Sequence, residues 1–180
     1  PAPGDPELAR RVQKLLALSA VLDTEWGLDH GAWSVLAHIY PQANIPVVQL
    51  SIDERQSATF HYDLGRQLAP LRDEGVLILG SGNLVHNLGE YAWGRSQPKP
   101  YDWAARFQDK AQKLILSGDH KTLIEYESLG KDAWLSIPTP DHFFPLLYVL
   151  GLTNKREPVE FFNGVIDGGS ISMLSVKIGE

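Results

Sequence analysis

The sequence contains no cysteine among its 180 residues. Disulfide bonds, thiolate metal sites and cysteine nucleophiles are therefore excluded. A chain without cysteine is compatible with a reducing compartment, and we expect a cytoplasmic location.

Long apolar runs and basic clusters are also absent. No apolar stretch approaches the roughly 20 residues that a membrane-spanning helix needs. The chain has 16 Lys and Arg residues against 22 Asp and Glu residues, which gives a formal net charge of −6, and its positive residues are scattered. We therefore expect neither nucleic acid nor a membrane as its partner.

Three familiar catalytic signatures are missing. The sequence has no Gly-x-Ser-x-Gly, no phosphate-binding loop ending in Gly-Lys-Ser/Thr and no His-Glu-x-x-His. These absences argue against a serine-hydrolase nucleophile elbow, a nucleotide-phosphate site and a zinc-protease helix. Ser81 lies near His86 in the sequence, but nothing marks a third member of a catalytic triad.

The patterns that are present predict a single α/β domain over residues 1–180. The hydrophobic fraction of 43% and the charged fraction of 21% are ordinary for a globular chain that buries one core. Asp5 can cap a first helix, and apolar residues at helical spacing predict helices over residues 33–40 and 60–71. Unbroken apolar runs at residues 45–52 and 76–79 are typical of strands covered on both faces.

This alternation of helices and strands predicts a mixed, largely parallel sheet covered by helices on both faces. The dipeptide Asn163-Gly164 lies between apolar runs near the end of the chain, and residues 171–178 are mostly apolar. Asn-Gly in such a position predicts a C-terminal β-hairpin.

Residues 74–88, EGVLILGSGNLVHNL, form the segment around which the rest is organised. A predicted strand breaks into Gly80-Ser81-Gly82-Asn83, and His86 follows. Open α/β sheets bind ligands at the carboxyl ends of their strands, so His86 can point into a site there. A glycine-rich connector with one hydrogen-bonded histidine explains the residues about equally well, because a lone Gly-x-Gly is a weak signal.

Six histidines are the main candidates for chemistry. We interpret His38 as a surface residue and His61 as solvated or capping, and we assign no role to His120. The remaining three lie in loops bracketed by glycine or proline, where binding groups concentrate; they are His30, His86 and His142.

His142 is the most suggestive of these three residues. Pro140 and Pro145 restrict the backbone on both sides of its imidazole, and a metal ligand needs such rigid placement. The alternative is a turn whose histidine only caps a helix, which the residues alone favour slightly.

Six stretches of the sequence together resemble the class III extradiol ring-cleaving dioxygenases, in particular the DOPA 4,5-dioxygenase branch. They follow the order of that family and reach both ends of the chain. The stretches are PAPGDPELA (1–9), LDHGAWSVL (28–36), IPVVQLSID (45–53), EGVLILGSGNLVHNL (74–88), PTPDHFFPLLYVLG (138–151) and GSISMLSVKIG (169–179).

The resemblance implies that a non-haem Fe(II) enzyme opens a catechol such as DOPA with O₂ to a semialdehyde. Zn(II) often occupies such a site in the purified protein. His142 matches a metal ligand of the family, and His86 matches a residue described either as a further ligand or as the acid–base group beside the metal. His30 matches a group that hydrogen-bonds the catechol oxygen or its oxygenated intermediate, and either His30 or His86 can act as the acid that helps the O–O bond break. We expect His86 to take the catechol proton.

The family also has an amino-terminal segment, before PAPG, that carries two more metal histidines. We therefore expect this chain to lack the N-terminal portion of its catalytic domain and to show little or no activity alone. Two alternatives stay open: a zinc-binding, hydrolase-like α/β enzyme, and a non-catalytic truncated remnant. An oligomer is compatible with all three.

Overall fold

A computed structural model describes residues 2–17, 20–96, 98–154 and 157–179, so Pro1 of the first motif lies outside it. The α-helices within these ranges are α1 (Pro6–Leu15), α2 (His30–Ile39), α3 (Ala58–Leu68), α4 (Pro70–Asp73), α5 (Asp102–Ser117), α6 (His120–Ile124), α7 (Lys131–Ser136) and α8 (Phe144–Gly151). Single 3₁₀ turns cover Leu88–Glu90 and Tyr126–Leu129, and the strands are β1 (Val159–Phe162), β2 (Ile166–Asp167), β3 (Ile171–Ser172) and β4 (Ser175–Ile178).

The predicted start of the first helix is confirmed. The Asp5 side chain accepts hydrogen bonds from the backbone N–H groups of Glu7 and Leu8, at 3.0 and 2.9 Å. Pro6 takes the first helical position, where its missing N–H costs nothing.

The C-terminal hairpin is also confirmed, although its turn lies elsewhere than predicted. β1 pairs antiparallel with β4, and β2 pairs antiparallel with β3 inside that outer pair. The chain reverses at Gly168 and Gly169, whose φ angles are +55° and +82°. A Cβ atom on Gly168 would collide with the Tyr91 ring, so this turn requires glycine. Asn163 instead lies at the interruption between β1 and β2, with a φ of +54°.

The expected largely parallel sheet is not found in the described residues, where both strand pairs are antiparallel. Residues 45–52 and 76–79 belong to neither helix nor strand there. Val76 and Ile78 pack against the helical core, but Leu77 and Leu79, which alternate with them, are 69% and 43% exposed. The segment that was expected to be covered on both faces is therefore covered on one.

The core consists of two clusters of buried side chains that meet at α8. The larger cluster joins α5, α7 and α8 to the hairpin, and the smaller one joins α1, α3 and α4 to α8. α8 carries apolar residues on every side, and six of its eight residues are buried. A helix of this composition is stable only inside a core. The segment just before it, which contains His142, is therefore attached to a rigid part of the protein.

His61 lies in this core and not at the surface, so its interpretation as solvated or capping was wrong. Its side chain is fully buried, its ring stacks on Phe144 at 4.1 Å, and Nδ1 lies 3.0 Å from the Tyr148 hydroxyl. The signal was present in the sequence, because His61 shares the apolar face of Leu64 and Leu68 at intervals of three and four residues.

His38 and His120 lie closer to the surface than His61. His38 is exposed, as predicted, and its Nδ1 atom lies 2.7 Å from the Ser34 carbonyl oxygen. His120 begins α6, and its Nδ1 atom lies 3.0 Å from the Tyr62 hydroxyl.

No helix in the described parts of the chain has the length and apolar character needed to span a membrane.

Gly65 and Gly151 allow α3 and α8 to approach closely. A Cβ atom on Gly65 would overlap the Tyr148 backbone. We expect Gly65→Ala to lower the free energy of unfolding by about 2 kcal/mol, because neither backbone can move aside cheaply. Urea denaturation measures this, and Gly27→Ala is the control, since nothing lies within 4 Å of its added methyl group. Equal midpoints for the two variants would contradict the tight crossing.

Burial of the His61 ring lowers its pKa from the ordinary value of 6.5. The unfolded chain therefore binds a proton at His61 more readily than the folded chain. We expect the free energy of unfolding to fall as the pH drops below about 6.5, and to fall less steeply in His61→Gln. Urea midpoints between pH 5 and 7.5 measure this slope. The exposed His38→Gln is the control, and a slope unchanged by His61→Gln would refute the assignment.

Candidate active site

The glycine-rich loop at residues 80–83 lies directly against the turn that carries His142. The Asn83 N–H donates to the His142 carbonyl oxygen at 2.9 Å. A Cβ atom on Gly80 would lie 2.6 Å from the Pro145 carbonyl oxygen, and one on Gly82 would overlap the His142 carbonyl. The two glycines are needed here because their missing side chains let two backbones approach.

His86 is held through its backbone by two other segments. Its N–H donates to the Ser136 carbonyl oxygen at 2.8 Å, at the end of α7. It also forms an isolated antiparallel bridge with Ile171, at the start of β3. The preceding Val85 is fully buried, and its carbonyl accepts from the Ser172 N–H at 2.9 Å. The backbone of His86 is thus bound on both sides.

These contacts bring the rings of His86 and His142 together. Their centroids are 3.6 Å apart, and their planes are inclined by only 7°. The lone pair of an imidazole nitrogen lies in the plane of its ring, so the lone pairs of two stacked rings run in parallel planes and do not converge on one ion. One of the rings must turn before both can bind the same metal.

Asp141 is the charged group beside this pair. Its Oδ2 atom lies 2.6 Å from Nδ1 of His142. That nitrogen is buried, and although Oδ2 lies at hydrogen-bond distance, Nδ1 has no hydrogen-bond partner in the described part of the chain. Burial raises the pKa of Asp141, but the Thr139 hydroxyl and the nearby His142 lower it by more, and the pKa is lowered overall. Asp141 is therefore a carboxylate at neutral pH.

The pKa of His86 is lowered from its ordinary value. Burial is the larger cause and the charge of His142 is the second, while the charge of Asp141 opposes them. The ring of His86 is accordingly neutral at pH 7, and a neutral imidazole can accept a proton or bind a metal ion.

His30 is the first residue of α2, and it is exposed. Gly31 follows His30, and its carbonyl oxygen accepts a hydrogen bond of 2.7 Å from the Ser81 hydroxyl. Ser81 therefore contacts the turn that begins α2 with His30. Its neighbours Gly82 and Asn83 contact the turn that carries His142. The structure brings His86 and His142 into ring contact and places His30 on a helix attached to the same loop.

The donors present suit a transition metal in type but are few in number. Imidazole nitrogen and carboxylate oxygen are ligands for Fe(II) and Zn(II). Within the described ranges, however, no group of three or more His, Cys, Asp or Glu side chains is arranged to hold a metal ion. His86 and His142 are the pair that can contribute to such a site.

Sequence reasoning missed two residues at this site. Asp141 directly precedes His142, and a carboxylate next to a candidate ligand was a usable signal. Ser136 is buried, its carbonyl accepts from the His86 N–H, and its hydroxyl has no hydrogen-bond partner among the described residues. Nothing in the sequence marked this residue, because its contact with His86 joins residues 50 positions apart.

Curated proteins of known name are similar to almost the whole chain. The chain is 47% identical to the 4,5-DOPA dioxygenase extradiol of Escherichia coli (strain K12), over 99% of this chain and 67% of that protein. It is 41% identical to the protein of the same name from Beta vulgaris, over 98% of this chain and 66% of that protein. The chain thus spans about two thirds of the length of these relatives.

The fold has a close counterpart among solved structures. The crystal structure of an uncharacterized protein from Escherichia coli K12 matches with a TM-score of 0.91 and 46% identity, over 99% of this chain and 75% of that one. Residues 1–167 match the family model described as the catalytic LigB subunit of aromatic ring-opening dioxygenase. This chain belongs to that family of ring-opening dioxygenases.

Proposed function

We propose that residues 1–180 belong to the single catalytic domain of a protein that opens the ring of a catechol, such as DOPA, with O₂ to a semialdehyde. The observation that carries the proposal is the contact between the rings of His86 and His142, 3.6 Å apart, beside the Asp141 carboxylate. The names of the two relatives support DOPA as the substrate and extradiol cleavage as the reaction.

The proposed metal is Fe(II), with Zn(II) as the ion that can occupy the same site in the purified protein. His142 and His86 would hold it. A bound Fe(II) supplies the redox chemistry that lets O₂ react with the aromatic ring. Two imidazoles hold such an ion weakly, so the proposal requires further ligands beyond this pair.

Asp141 favours one tautomer of His142. A carboxylate 2.6 Å from Nδ1 stabilises a proton on that nitrogen, which leaves the lone pair of Nε2 free. The Nε2 atom is therefore the proposed metal-binding atom of His142, and a small turn of the ring aligns the Nδ1 proton with Oδ2.

His86 either shares the metal with His142 or acts as the base beside it. Its lowered pKa keeps the ring neutral at pH 7, so it can take the proton that a catechol hydroxyl loses. Either His86, by returning this proton, or His30 can act as the acid when the oxygen–oxygen bond breaks. His30 is exposed at the start of α2, where it can hydrogen-bond a catechol oxygen that enters from solvent.

The proposal also covers the partners and location of the protein. The substrates are a small catechol and O₂, a cytoplasmic location fits the absence of cysteine, and an oligomer is compatible with the reaction.

The decisive experiment measures oxygen uptake and product absorbance with the full-length protein, Fe(II) and DOPA. We expect one O₂ consumed per ring opened, and a loss of kcat/KM of at least about 100-fold in His86→Ala and in His142→Ala, because each removes a proposed ligand or base. The exposed His38→Ala is the control and keeps its activity. Turnover that needs no O₂ would exclude the dioxygenase and favour a hydrolase.

A second prediction concerns the carboxylate beside His142. We expect Asp141→Asn to weaken Fe(II) or Zn(II) binding by about 10- to 100-fold, because a neutral amide favours the Nδ1–H tautomer less than the carboxylate does. Competition with a chelating dye measures the affinity. Asp109→Asn, at an exposed ion pair with Lys113 on α5, is the matched control. Equal affinities for the two variants would contradict the role of Asp141.

A further inference from the structure

Helix α2 has no buried apolar face to hold it against the rest of the protein. None of its residues is buried, and its large apolar side chains Trp33 and Ile39 are 56% and 48% exposed. Packing of an apolar face normally supplies most of the stability of a helix of this length. The position of α2, and of His30 at its start, therefore depends on other contacts.

Polar contacts fix the first turn of the helix. The Asp29 side chain accepts from the Ala32 N–H at 2.8 Å and caps the helix. The Asp29 N–H donates to Oε1 of Gln49 at 2.9 Å, and the Ser81 hydroxyl donates to the Gly31 carbonyl oxygen at 2.7 Å. The last two bonds link this turn to two separate segments of the chain, 20 and 50 residues away.

Ser81 lies in the loop between two parts of the candidate site, the turn that carries His142 and the turn that begins with His30. Its neighbours Gly82 and Asn83 lie against the backbone of His142, the first by close approach and the second by a hydrogen bond of 2.9 Å. Ser81 itself reaches in the other direction to Gly31, which follows His30. A single loop therefore connects the His142 turn to the His30 turn.

We propose that Ser81 is a positioning residue, whose hydroxyl, together with the Gln49 side chain, sets the place of His30 relative to His86 and His142. The inference rests on the proposed function, because His30 has its role there. Ser81 does not react: it restricts the first turn of α2, so that the imidazole of His30 is presented at the catechol and not left to move with an exposed helix.

The first test measures amide hydrogen exchange of residues 30–34 in the full-length protein. Removing one hydrogen bond of ordinary strength should speed exchange in this turn by about fivefold in Ser81→Ala, and Ser81→Thr, which keeps the hydroxyl, should restore most of the protection. Gln49→Met removes the second bond and should act in the same direction. Ser117→Ala, which loses a similar hydroxyl-to-carbonyl bond at the end of α5, is the control.

The second test separates positioning of His30 from a general effect on the loop. We expect Ser81→Ala to lower kcat/KM for DOPA about fivefold in the wild-type background and to have no further effect in His30→Gln, because both changes remove the same contribution. A merely structural role for Ser81 would act through His142 and would lower activity by the same factor in both backgrounds.

The outcomes are distinguishable. Faster exchange in the first turn together with non-additive kinetics supports the proposal. Unchanged exchange in both Ser81→Ala and Gln49→Met, or fully additive kinetic costs, overturns it even when the wild-type protein is found to open the ring. Absence of ring opening by the wild-type protein overturns the proposed function and, with it, the positioning role for His30.

Discussion

The close approach of the loop at residues 80–83 to the start of α8 is the constraint on which the rest of the site depends. Gly80 and Gly82 allow two backbones to touch where any side chain would separate them. The hydrogen bond from Asn83 to the His142 carbonyl then sets the register between the two segments. A shift here would separate His86 from His142, because each lies only a few residues from the point of contact.

His142 and His30, on the two sides of the site, are held in place by different kinds of contact. His142 directly precedes Phe143 and α8, which lie in the core, and α8 is packed against α3 through two glycines and the buried His61. His30 instead begins a helix that buries none of its residues. The proposed metal side is thus carried by close packing, whereas the proposed substrate side is held by hydrogen bonds. Packed cores resist displacement, whereas a turn held by a few hydrogen bonds opens at a smaller cost in free energy.

Stacking of two imidazoles is compatible with burial only while at least one of them is neutral. The lowered pKa of His86 meets this requirement, and the Asp141 carboxylate lies 2.6 Å from Nδ1 of His142. The same features suit the binding of a cation, because the neutral imidazole of His86 offers a lone pair and the Asp141 carboxylate adds negative charge. The centroid distance of 3.6 Å shows that the two rings are close, and their nearly parallel planes mean that one ring must rotate before both can bind one ion.

The sequence by itself determined the local features whose cause is local: the Asp5 cap, the C-terminal hairpin, the glycine loop and the histidines on either side of it. Spacing also identifies the apolar face of a helix: His61 lies three residues before Leu64, on the same face, and this spacing places it in the core. Only the tertiary structure decided which partner lies opposite each face. It moved the hairpin turn to Gly168-Gly169, where the Tyr91 ring leaves no room for a side chain, and it left Leu77 and Leu79 exposed. The ring contact of His86 and His142 and the Ser136 bond to His86 join residues about 50 positions apart, and periodicity along a chain carries no information about such distances.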